Sequence, residues 1–114
     1  MFKFTVTTVR PTANAPFFIH TAVGQVYQEL MTQAKQQRPQ VAGPERLISF
    51  ERTESEDGLT LISAYSFNSA ESKMNYFDEE AAIIAAQGMT PFKDTRDEYN
   101  LLHGHAITVE NEVV

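Results

Sequence analysis

Apolar and polar residues alternate from the first positions of the chain, with Phe2, Phe4 and Val6 set against Lys3, Thr5 and Thr7. A period of two is the signature of a half-buried strand. Arg10-Pro11 ends it, because proline cannot donate to a β-ladder. Thr12 to Pro16 reads as a loop by composition. From about His20 to Gln37 the period changes. Val23, Val26, Tyr27, Leu30, Met31 and Ala34 recur at helical intervals, with Gln25, Gln28, Glu29, Gln33 and Lys35 on the other face. Pro39, Gly43 and Pro44 break that helix. Leu47 to Ser55 and Leu59 to Phe67 read as two strands joined at Asp57-Gly58, a pair that tolerates positive φ at a hairpin centre. This turn sets Phe50 opposite Tyr65 and Ile48 opposite Phe67. Both apolar pairs fall on one face, so turn and pattern agree.

A second helix is predicted from Asn68 or Ser69, with Glu71 three residues after Asn68 as in a capping box. Its buried stripe is Met74, Phe77, Ala81, Ile84 and Ala85, leaving Asp78, Glu79 and Glu80 largely outside. Gly88 caps it and Pro91 follows. Thr95 and Glu98 mark a short helix to Leu102, closed by Gly104, and the last strand runs from Ala106 to about Val113. Over residues 1–114 the order β-α-β-β-α-β predicts a single α+β domain. Its architecture is the ferredoxin-like plait: a four-stranded antiparallel sheet with two helices on one face. The first and third strands are central in that topology. The edge candidates carry Glu51, Arg52 and Glu54, or Glu110 and Glu112, charges that resist edge pairing. Gly24 inside the first helix marks close helix-to-sheet packing.

The strand residues that point away from the helices are Lys3, Thr5, Thr7 and Val9; Ser49, Glu51 and Thr53; Ile62, Ala64 and Ser66; and Thr108, Glu110 and Glu112. This face is small and rich in Thr and Ser. It reads either as a solvated face, which antiparallel sheets allow, or as half of a semi-polar cavity closed by a second copy across a two-fold.

Composition narrows the function classes. The 114 residues include 9 basic and 15 acidic ones, a formal charge of −6, with no cluster of Lys and Arg. That balance disfavours nucleic acid and anionic membranes. The chain has no cysteine, which excludes disulfides, thiolate nucleophiles and zinc-thiolate sites. No apolar run approaches a membrane span, and the alternating start does not resemble a secretory signal, so the expected location is the cytoplasm.

The segments Leu59-Thr60-Leu61-Ile62-Ser63-Ala64-Tyr65-Ser66-Phe67, Asn68-Ser69-Ala70-Glu71, Met74-Asn75-Tyr76-Phe77 and Arg96-Asp97-Glu98-Tyr99-Asn100 resemble the dimeric α+β barrel superfamily. Its broadest branch is that of the antibiotic-biosynthesis monooxygenases. The resemblance covers the chain in topology and implies a homodimer whose sheets pack face to face. Members include quinol-type monooxygenases, haem-degrading enzymes and proteins with no known activity. Monooxygenase members commonly use Trp, Asn and His around the cavity, and this chain has no Trp. No catalytic residue transfers from the family, and fold alone does not assign function.

Several residues are candidates for chemistry. His20, beside Phe17-Phe18-Ile19, is a candidate general base, since an unperturbed imidazole titrates near neutrality. His103 is the second base candidate. Residues two apart on a strand share a side, so His103 and His105 form a candidate metal pair with His20, Asp97 or Glu98 as third ligand. Against this stands the helix end expected at Gly104, which would make them cap or loop histidines. Phe17, Phe18, Phe92 and Tyr65 are candidates to line a pocket for a flat apolar ligand, or else to plug the core. The acidic runs have no calcium-loop spacing and read as solvated helix faces. There is no phosphate loop, dinucleotide fingerprint or nucleophile elbow, and no cofactor is expected.

The leading expectation is a non-catalytic homodimeric small-ligand-binding or accessory protein, paired through the open sheet face and taking a small apolar or aromatic ligand. A cofactor-independent monooxygenase-like enzyme acting on an aromatic or polyketide-like molecule is the alternative. An interaction module of a larger, phage-type assembly is the third.

Overall fold

The computed structural model describes residues 1–37 and 47–114, with side chains from 1–33 and 47–114. The elements run β1 (Phe2–Val9), a 3-10 turn (Phe18–His20), α1 (Ala22–Gln37), β2 (Ser49–Glu54), β3 (Thr60–Phe67), α2 (Ala70–Ala86), α3 (Phe92–His103) and β4 (Ala106–Val113). The break expected at Pro39, Gly43 and Pro44 lies outside the described residues, as do the side chains of Ala34 and Lys35.

The four strands stand in the order β2-β3-β1-β4, all antiparallel. This is the ferredoxin-like plait, with β1 and β3 central and β2 and β4 at the edges. Phe4 pairs with Tyr65, Val6 with Val109 and Phe50 with Tyr65. The hairpin register is therefore the expected one, but the turn is built differently. The Gly58 amide donates to the Ser55 carbonyl at 2.9 Å, and of the turn residues only Gly58 has positive φ, at 72°. Asp57 contributes through its carboxylate, which accepts from the Ser55 hydroxyl at 2.6 Å and the Leu59 amide at 2.9 Å.

The even positions of β1 and the odd positions of β3 face the helices, where ring contacts link Phe4 to Phe77 and Phe67 to Tyr76. Phe17, Phe67 and Tyr76 are the largest fully buried side chains. Phe92 packs against both of the clusters that form the middle of this layer, one around Phe17 and Leu61 and one around Phe18, Tyr27 and Ile84.

Four local expectations are corrected. Ser69 caps α2 by accepting from the Ser72 amide at 3.1 Å, so Asn68 and Glu71 do not form a capping box. The buried stripe of α2 is Tyr76, Ile83 and Ile84, while Met74, Ala81 and Ala85 are exposed. A buried Tyr hides far more surface than Ala, and Tyr76 turns the helix to reach Phe67. The third helix begins at Phe92, one turn before Thr95. In α1 Tyr27 is buried but Val23 and Val26 are about half exposed.

Gly24 is also differently employed. It abuts the 3-10 turn rather than the sheet, and a Cβ there would collide with the Phe18 carbonyl oxygen. Thr21 completes this junction, its hydroxyl donating to that carbonyl at 2.6 Å and accepting from the Gly24 amide at 3.0 Å.

Candidate functional site

A cavity of about 350 Å³ opens between the helices and the β2-β3 side of the sheet. Alternation on β2 sends Phe50 and Arg52 into it, and β3 supplies Tyr65, the cross-strand partner of Phe50. On α2, Tyr76, Glu80 and Ile84 are four residues apart and line one wall. On α1, Tyr27, Gln28, Met31 and Thr32 form the facing wall, and Ile19 and Phe92 close the end. The volume lies at the small end of ligand pockets, which run from roughly 300 to 1,000 Å³.

Lining rings contact one another in pairs. Phe50 and Tyr65 lie 4.7 Å apart, and Tyr27 meets Phe92 at 5.5 Å. Tyr27 is held by its hydroxyl, which donates to the Thr90 carbonyl at 2.5 Å and shares a hydrogen bond with the Thr95 hydroxyl at 3.0 Å.

Arg52 is the cation of the cavity wall. Its Nε donates to the Ser63 hydroxyl at 3.1 Å and its Nη1 to Gln28 Oε1 at 3.4 Å. Gln28 is itself oriented, since its Nε2 donates to the Ile19 carbonyl at 2.7 Å. A relay thus runs from the 3-10 turn through α1 to the edge strand. Arg52 also lies over the Phe50 ring, with its guanidinium carbon 4.9 Å from the centroid.

Two tyrosines in the wall hold their protons tightly. Burial pushes the Tyr65 hydroxyl up, the Glu80 charge adds to the shift, and Arg52 opposes it. Burial also raises Tyr76 strongly, with the charge and hydrogen bond of Glu80 reinforcing it. Both phenols are neutral hydrogen-bonding groups at physiological pH.

Of the residues singled out in the sequence, Tyr65 and Phe92 line the cavity. Phe17 and Phe18 do not. Phe17 is 1% exposed and lies under the Arg10 guanidinium, and Phe18 packs on Tyr27, Phe92 and Tyr99. His20 is about half exposed and stands 3.7 Å from Glu54, outside the cavity. His103 ends α3 against the Tyr99 ring, and Gly104, at φ 68°, turns the chain before His105. The two imidazoles are 6.0 Å apart. Among the described residues no group of three or more His, Asp and Glu is placed to hold a metal. Asp97 lies beside Arg96 at 3.1 Å and Lys93 at 3.4 Å. His105 is buried between Phe17 and Tyr99. Burial first, then the charges of His103 and Arg10, lower its pKa and keep it neutral.

Arg52, Gln28, Glu80 and Tyr76 were not recognised as site residues in the sequence. Strand parity carries the signal for Arg52, which shares the face of Phe50. Glu80 is corrected from the solvated face of α2 to its cavity wall, for the same reason that moved the buried stripe to Tyr76.

No family model matches the chain, and no curated protein is similar to it. Among solved structures it is similar to a dimeric ferredoxin-like protein from an uncultured marine organism, at 12% identity and a TM-score of 0.47, covering 99% of this chain and 94% of that one. It is similar to a proposed antibiotic biosynthesis monooxygenase from Deinococcus radiodurans, at 6% identity and a TM-score of 0.47, covering 100% and 92%. A Mycobacterium tuberculosis protein is matched at 15% identity and a TM-score of 0.43, covering 100% and 97%. Among the described residues no helix is long and apolar enough to cross a membrane.

Proposed function

We propose that this chain is a small-molecule-binding protein of the cytoplasm that works as a homodimer. Its ligand site is the aromatic cavity between α1, α2 and the sheet. The observation that carries the reading is the wall itself. Phe50, Tyr65, Tyr76, Tyr27 and Phe92 line about 350 Å³, with Arg52, Glu80 and two neutral phenols among the polar anchors. An apolar cavity with a few convergent polar groups is the usual form of a small-ligand site. Flat aromatic or apolar molecules fit that lining. The enzymatic alternative has less support, because neither candidate base, His20 or His103, lines the cavity.

The dimer reading rests on the opposite face of the sheet. Thr5, Thr7, Ala64 and Ser66 form a partly shielded centre, with Ile62 and Val9 exposed beside them at 38% and 44%. A second copy would cover these groups.

The test is calorimetric titration of 2-naphthol into the unmodified protein and into Thr32→Trp, which places bulk at the exposed rim of the cavity. Saturable binding weakened at least about tenfold by the substitution supports the reading. Equal affinity in both proteins places the ligand elsewhere and sinks it.

A further inference from the structure

We propose that the cavity selects an aromatic monocarboxylate, with the ring against Phe50 and Tyr65 and the carboxylate on Arg52. This rests on reading the cavity as a ligand site.

The argument starts from charge. Arg52 has five N–H donors. Its Nε and Nη1 donate to Ser63 Oγ and Gln28 Oε1, and it also hydrogen-bonds the Tyr65 hydroxyl, all neutral groups. Among the described residues no carboxylate lies within ion-pair distance of it. Among the described residues its hydrogen-bond partners are all neutral and no carboxylate pairs with it, so a ligand anion would supply a direct counter-charge. The other charged group of the wall, Glu80, accepts the Tyr76 hydroxyl, and Tyr65 and Tyr76 stay protonated as donors.

Geometry selects the class of anion. A guanidinium matches a planar carboxylate with two parallel hydrogen bonds. A phosphate dianion would call for a second cation, and Arg52 is the single Lys or Arg among the described lining residues. Gln28 and Ser63 act as positioning residues, since they hold the fork at the wall rather than contacting the ring.

The net charge of the chain is −6, so its overall field repels anions. A preference for a carboxylate therefore reports Arg52 and not long-range attraction.

Three probes of one shape decide the matter: 2-naphthoate, 2-naphthylmethanol and 2-naphthylmethylamine, titrated calorimetrically into the full chain. The expected order is naphthoate first, by about 10- to 100-fold over the alcohol, the range of a charge-assisted hydrogen bond. The amine should be weakest. Arg52→Met should bring naphthoate down to the level of the alcohol. The ranking on the unmodified protein stands even if that variant fails to fold. Equal affinities, an amine that binds tightest, or a naphthoate affinity unmoved by Arg52→Met would overturn the carboxylate assignment while leaving the cavity reading intact. Saturable binding by none of the three would overturn both.

Discussion

The α-carbon of Gly24 lies so close beneath the Phe18 carbonyl that a methyl group there would collide with the oxygen. Glycine inside a helix normally costs about 1 kcal/mol relative to alanine. Here the close approach reverses that preference, because it lets the 3-10 turn sit against α1 and bring Ile19 to the cavity. Gly24→Ala is expected to destabilise the protein by about 1 to 3 kcal/mol or more, as overpacking does. The urea midpoint should fall with an unchanged slope. A midpoint equal to or above that of the unmodified chain would show that the contact is not needed.

The two cavity phenols set a limit at high pH. In the folded chain Tyr65 and Tyr76 are shifted above the ordinary tyrosine value of 10.0. Above that pH the unfolded chain releases these protons and the folded chain keeps them. Folding stability is therefore unaffected below about pH 10 and falls as pH rises beyond it. Absorbance at 295 nm should show these two tyrosines ionising only as the protein unfolds. Tyr76→Phe should move that transition to higher pH, and early ionisation of all four tyrosines would contradict the buried placement.

His105 sets a limit on the acid side. Its folded pKa lies below the ordinary 6.5 because of burial, with His103 and Arg10 adding to the effect. Both states are neutral at this site above that value. As pH falls below it the unfolded chain takes up a proton that the folded chain resists, so stability is lost. Melting curves from pH 7.5 to 5 should slope downward, and His105→Leu should flatten part of the slope. An identical pH profile in the variant would mean that the loss comes from other groups.

The open sheet face gives a test of the assembly. Thr5 and Thr7 lie on the central strand and point away from the helices. Thr5→Asp with Thr7→Asp places two charges where a second copy would pack. Unpaired charge buried at an interface is strongly disfavoured, so native mass should fall to that of one chain and the melting temperature should drop. Unchanged mass and melting would argue that this face is solvated.

Much of the fold is legible in the chain because the relevant signals are local. Alternation on β1, the Asp57-Gly58 turn and the pairing of Phe50 with Tyr65 involve residues close enough in sequence to constrain one another. Even there, the turn type differs: Gly58 alone takes the left-handed conformation, and Asp57 acts through its side chain. The helices are less legible. Helical spacing shows that a stripe exists, but α2 contains two plausible ones, through Met74 and Ala81 or through Tyr76 and Ile83. Contact with Phe67, a residue of another element, selects the second.

The candidate site lies beyond that boundary. The amino-acid order by itself determines the strands, the register of the β2-β3 hairpin and the side of the sheet on which Arg52 stands, because backbone pleat and turn chemistry act over a few residues. It does not determine that the helix layer stands off the β2-β3 side to leave a cavity. That depends on contacts such as Gln28 with Arg52, 24 positions apart, and Tyr27 with Thr90, 63 apart. Only the folded chain brings these together, since packing distance between layers is a property of all the side chains between them rather than of any one segment.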